Sequence, residues 1–452
     1  MATLSPTQRS KLEALWRSMP AHMREGLQAA VRPAAATDAG AKKLLDVFEL
    51  LEDSLGQAAG DLAKAYLFAP LRPLTAEPNS APPSRFRFSP DNLSKMWGWL
   101  GRDIAKDLVV RMRKCQRPMT DPCWHAFRRE AASALREAVA KADRVPKDMV
   151  ALDKRFGADC RSMLHDAIVL LEFEEILATS LQTIPTVIED IDEDLCNEIR
   201  DIHESLMETD PESAVWMLLL IMGRLTSPWQ IFRVVEKIGR RGDDLVVSKT
   251  ELAAIGDAVL ADTGYFASRL KHPPATMEEA EAYFGIFERY VAYSTGMTKE
   301  FGIRKDGRWG RLLFGLRAEA STNVEKVLEK LPLALDAGLP EPRRGKSGRI
   351  IPAQLPPTAA LERARGLLYF THRAREHANA AAIASAQKRI FEQAQTRLED
   401  AGKMLVDLVA SSEGQSRNVA AEALEITAGL LDAAGCDEAA DLLRRRGVAA
   451  AA

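Results

Sequence analysis

The side chains best equipped for chemistry in this sequence are five cysteines, seven histidines and a dense run of carboxylates. Their spacing decides what each could do. The cysteines, Cys115, Cys123, Cys160, Cys196 and Cys436, are scattered and contain no C-x-x-C pair, which predicts reduced thiols and no disulfide framework. Cys115, Cys123, His125 and Cys160 lack the close ligand pairs that mark zinc sites in sequence. Cys123 and His125 stand two residues apart, and on a helix such side chains diverge, so they make no nucleophile–base pair. His372, Glu376 and His377 form H-x-x-x-E-H, which differs from the H-x-x-E-H of inverted zinc proteases. On an α-helix His377 would be rotated about 100° from Glu376, which predicts a solvated surface. Gly345-Lys346-Ser347 suggests a phosphate loop, but the glycine required five residues before Gly345 is replaced by Pro340.

The carboxylates are the stronger signal. Glu172, Glu175, Glu198, Asp201, His203 and Glu204 are the residues that could supply acid–base or metal chemistry. A di-iron bundle needs Glu-x-x-His on two helices, and neither His165 nor His203 has that spacing. From Val187 to Glu212 eleven acids face a single base, Arg200. This predicts an acidic interaction surface made by Glu189, Asp190, Asp192, Glu193, Asp194 and Glu198. From Glu341 to Arg375 the balance reverses, with eight Arg or Lys against two acids. Arg343, Arg344, Lys346, Arg349, Arg363 and Arg365 are the expected basic surface. The two surfaces should serve either each other or outside partners. No catalytic residue, cofactor-binding residue or metal ligand is assigned.

The elements that carry these residues are helices. Within the acidic stretch, Ile188, Ile191, Leu195, Ile199, Ile202 and Leu206 step by three and four, so one face is buried while the other is negative. Repulsion along that negative face weakens the helix itself, and docking of the apolar stripe must hold it. Next comes the run Val215 to Met222, eight large apolar side chains in succession. A helix apolar on every side belongs in a core, and this one is far short of the roughly 20 residues a membrane span needs. Asp210-Pro211-Glu212 supplies its start signal. Further on, Phe391, Ala394, Leu398, Ala401, Leu405 and Leu408 form a helix-pairing seam. Alternating strand patterns are nearly absent; Leu245-Val246-Val247 is the one weak candidate.

Two proline-rich breaks divide the chain. The first holds Pro70, Pro73, Pro78, Pro82, Pro83 and Pro90, and its Arg85-Phe86-Arg87-Phe88 predicts a loop pinned by two aromatic rings. The second runs from Leu339 to Pro357. The expected organisation is N-terminal helices over 1–69, a connection over 70–88, a central helical body over 89–338, a basic linker over 339–357 and an alanine-rich helical domain over 358–447. No repeat period recurs. The fold class is all-α, an antiparallel or superhelical array of many helices ending in a helical hairpin domain. Aromatic residues make up only 6% of the chain, in keeping with helices, and the net charge of -3 gives no global pull toward nucleic acid. The N-terminus shows no secretory pattern. These features point to a cytoplasmic scaffold, adaptor or accessory subunit of a multiprotein assembly, with self-association left open and no membrane contact. The alternatives are a nucleic-acid-associated protein using the basic 343–375 region and an enzyme whose site is assembled from distant residues.

Overall fold

A computed structural model describes residues 62–75, 86–115, 117–157, 160–240, 244–344, 350–351 and 354–451, with isolated positions between 27 and 48. The N-terminal helices expected before residue 62 lie almost wholly outside the described residues. The protein is all-α; the exception is an antiparallel pairing of two-residue strands, Arg343–Arg344 with Ile350–Ile351. No helix among the described residues is long and apolar enough to cross a membrane. The chain divides into two compact units, 1–182 and 183–452.

In the N-terminal unit, the described residues at the start of the first break form a 3-10 segment, Ala69–Leu74. Phe88 then returns, donating its N–H to the Leu74 carbonyl at 2.9 Å. Phe86 and Phe88 are both buried, so the rings do pin this connection. Helix α1 (Pro90–Trp99) starts where the Ser89 hydroxyl accepts the Asn92 N–H at 3.0 Å. A π-type turn at Leu100–Ile104 separates it from α2 (Lys106–Arg113). Helix α3 (Pro122–Arg144) buries Trp124, Phe127, Ala131, Leu135 and Val139 along one stripe. After α4 (Pro146–Phe156), α3 packs on α5 (Cys160–Glu172), and Phe173 breaks the chain before α6 (Glu174–Ser180).

The C-terminal unit opens with α7 (Glu193–Thr209), α8 (Pro211–Arg224) and α9 (Ile231–Gly239). Met217, Leu218, Leu219, Ile221 and Met222 of α8 are completely buried. Asp210 occupies the N-cap position of α8, but its side chain makes no cap bond. Leu245-Val246-Val247 lies in a single helical turn, α10 (Asp244–Val247), instead of a strand. The buried Asp244 carboxylate accepts N–H bonds from Arg304 and Gly310 at 3.2 and 3.3 Å. Those two bonds fold the segment ahead of α13 back onto α10, which outweighs the β-propensity of two valines.

Helices α11 (Ala253–Arg269), α12 (Met277–Glu300), α13 (Arg308–Leu328) and α14 (Leu331–Gly338) follow. Beyond the second break come α15 (Thr358–Arg373), a 3-10 turn at Ala374–His377, α16 (Ala384–Ser411), α17 (Gly414–Ala433) and α18 (Asp437–Ala451). Buried residues on both sides of that break, from Ala267 to Leu443, belong to one hydrophobic core. Within it, α12 packs on α15, and α16, α17 and α18 pack on one another. Ala394, Leu398, Ala401, Leu405 and Leu408 of the seam are buried. The α17–α18 turn depends on Gly435, whose φ of +66° is left-handed and whose missing Cβ makes room for the His372 ring.

Candidate interaction surface

The acidic stretch is positioned by its apolar stripe. Ile188, Ile191, Cys196, Ile199 and Leu206 are buried, and the Asp192 carboxylate caps α7 by accepting the Leu195 N–H at 2.8 Å. The segment before the helix is strapped down by backbone bonds. Ile188 donates to the Arg224 carbonyl and accepts from the Thr226 N–H, both at 2.9 Å. The Ile191 N–H donates to the Gln230 side chain at 3.0 Å. Glu189, Asp190, Asp192, Glu193, Asp194, Asp201, Glu204 and Glu208 consequently face outward and are exposed; Glu198 is half-buried.

Part of this charge is met from α9. Arg233 donates to Asp190 at 2.9 Å, to the Ile191 carbonyl at 2.7 Å, and with two nitrogens to Glu300 at 2.8 and 2.9 Å. The Glu300 bonds, against the cost of burial, hold the Arg233 guanidinium firmly in its charged form. Lys237 lies 3.3 Å from Glu193, and Arg200 serves its own helix through Asp201 at 2.7 Å and Glu204 at 3.9 Å. Among the described residues, Glu189, Asp194, Glu198 and Glu208 form no ion pair.

His203 lies on the buried side of α7, 2% exposed, with neither ring nitrogen hydrogen-bonded. Burial holds its pKa below the ordinary histidine value, against the opposing pull of Glu251 and Glu204. Glu198, Asp201 and Glu204 therefore do not gather with it around a common point, and a constellation of the kind their sequence spacing allowed is not formed. Glu172 and Glu175 belong to the N-terminal unit, where Glu172 pairs with Arg136 and Glu175 stands 3.9 Å from His125.

The basic stretch is arranged differently. The Arg343 and Arg344 backbones form one short strand; the side chains of these two, together with Lys346 and Arg349, lie outside the described residues. Arg363 is exposed. Arg365 pairs with Glu362 at 3.5 Å, and Arg373 reaches Glu376 at 3.4 Å with its guanidinium 4.6 Å above the Phe284 ring. Among the described residues no ion pair joins this stretch to the acidic one. His372 and His377 are half-buried, not solvated: His372 lies beside Phe391 and the Gly435 turn, and His377 against Phe284 and Phe287. Burial is also what lowers the His372 pKa, with Arg373 and Arg375 adding to it.

One cluster was not foreseen. In the N-terminal unit the thiols of Cys115 and Cys123 lie 3.6 Å apart, eight residues apart in sequence. Burial, then Asp121 and Cys115, push the Cys123 thiol up to about 11. A thiol so protonated is a poor nucleophile and metal ligand. Nearby, the buried Arg128 guanidinium sits 4.2 Å above the Tyr66 ring and pairs with Glu174. The only hint in sequence is the short turn between two helices, Arg117-Pro118-Met119-Thr120-Asp121-Pro122, which brings the end of α2 back beside the start of α3.

No known family matches the chain, and no curated protein or solved structure is detectably similar to it.

Proposed function

We propose that the chain is an interaction protein, an adaptor or accessory subunit that holds a basic segment of a partner protein on its acidic surface between residues 189 and 208. The observation that supports this reading is the mismatch between supply and demand of charge there. The exposed carboxylates outnumber the cations that reach them, and Glu189, Asp194, Glu198 and Glu208 have no cation partner among the described residues. Like charges at three- and four-residue spacing cost about 0.2–0.5 kcal/mol per pair on a helix. A basic ligand relieves that repulsion, so its binding is favoured by charge complementarity and steered by the field of the patch.

The test is affinity purification of the tagged protein from its native cells at moderate salt, side by side with a Glu189→Gln, Asp194→Asn, Glu198→Gln variant. The expected result is a stoichiometric protein partner whose recovery falls with added salt and falls in the variant. Recovery of the protein alone, or of the same partner by both forms, contradicts the reading. The alternative, phosphate binding by the 343–375 region, is read from the ultraviolet absorbance of co-purifying nucleic acid and its steep decline with salt.

A further inference from the structure

We propose that Glu288, Glu376 and His377 form a three-ligand site for a divalent transition metal, zinc in first place. One ligand atom from each of the three lies within 4.8 Å of the others. The site is built from two elements that the core holds together. Glu288 projects from α12, and Glu376 and His377 come from the 3-10 turn that follows α15. The two helices share buried aromatic contacts, with the Tyr283 and Phe370 rings 4.7 Å apart and Phe287 and Phe370 5.7 Å apart. On that turn the ligand atoms of the adjacent Glu376 and His377 lie within reach of each other and of Glu288.

The histidine carries the argument. The His377 ring is fixed by contact with Phe284 and Phe287, both with centroids 6.2 Å away. Its Nε2 is shielded from solvent, has no hydrogen-bond partner, and stands 3.5 Å from the Glu288 carboxylate. In a tetrahedral zinc site with bonds of about 2.0–2.1 Å, neighbouring ligand atoms stand roughly 3.3 Å apart. The His377–Glu288 edge is thus near that length already, and the two edges to Glu376 lie within 4.8 Å. Glu288 and Glu376 are exposed enough for a cation to enter from solvent. Two carboxylates and a neutral imidazole offset the charge of a divalent ion with nitrogen and oxygen donors, the chemistry that suits zinc or ferrous iron over calcium. Three protein ligands leave a fourth position for water. Arg373, 3.4 Å from Glu376, stands where an outer contact can orient that carboxylate.

The experiment uses the full chain stripped with chelator, titrated with Zn²⁺ by calorimetry and with Co²⁺ by visible absorption. One equivalent of each metal is expected, with the stronger Co²⁺ bands of a four-coordinate site. Glu288→Gln and His377→Ala should each weaken binding at least about tenfold, while the exposed His165→Ala should leave it unchanged. If His377→Ala perturbs the fold by circular dichroism, Glu376→Gln takes its place. Absence of saturable uptake, or uptake that survives Glu288→Gln and Glu376→Gln, overturns the proposal and leaves His377 and Glu288 as a simple ion pair.

Discussion

Two consecutive helices of the C-terminal unit use their sequences in opposite ways. α8 is apolar on nearly every side and buries its central residues completely, whereas α7 commits one stripe to the core and turns a row of carboxylates outward. The pair shows that burial and charge do separate work here. α8 contributes the apolar area that stabilises the unit, and α7 spends part of its own stability keeping like charges together in water. On the function proposed above, a basic partner segment would relieve that repulsion.

The comparison can be broken first at α8. Leu219→Ala truncates a fully buried side chain and should cost about 2–5 kcal/mol in chemical denaturation. A loss near zero would mean that α8 does not anchor the unit. The anchoring of the segment that leads into α7 comes next. Arg233→Ala strips Glu300, whose side chain is only 12% exposed, of both its bonds, along with those to Asp190 and the Ile191 carbonyl. The expected destabilisation is about 1–3 kcal/mol, with the 184–192 segment exchanging its amide protons faster.

His203 sharpens the comparison from the buried side of α7. Its folded-state pKa lies below the unfolded value near 6.5. The unfolded chain therefore takes the proton more readily, so this contribution is complete above pH ~6.5 and drains as pH falls toward the folded pKa. His203→Leu should keep its stability at neutral pH and flatten the loss that sets in below pH ~6.5, as read from unfolding midpoints across pH. An unchanged pH profile would place the acid sensitivity elsewhere.

Much of this was legible in the sequence because it is local. The three–four stepping marked the buried face of α7 at Ile199 and Leu206, though Ile188 and Ile191, which it also took in, are buried in the non-helical segment ahead of the helix; the apolar run marked α8, and alternation of aromatic and basic residues marked the pinned loop at Phe86 and Phe88. What stayed hidden depended on contacts distant in sequence or on a change of helix type. Asp244 draws in the Arg304 and Gly310 amides and holds Leu245-Val246-Val247 in a helical turn. A π-type turn follows α1 after Trp99, and a 3-10 turn carries Glu376 and His377 beside Glu288. Periodicity assumes one helical pitch and cannot register either shift. The partial neutralisation of the acidic surface by Arg233 and Lys237 was equally invisible, since both sit in an otherwise ordinary amphipathic segment.

The smallest expected effect on stability carries the largest on function. Glu189→Gln, Asp194→Asn, Glu198→Gln and Glu208→Gln together remove charges that no cation among the described residues meets. Measuring the thermal unfolding midpoint and the recovered partner for this variant beside the parent protein tests the central claim directly. The account predicts a midpoint unchanged or slightly raised, as surface changes usually stay within about 0.5 kcal/mol, together with loss of the partner. A lowered midpoint with the partner retained would contradict it, and would make the acidic face part of the fold's own scaffolding.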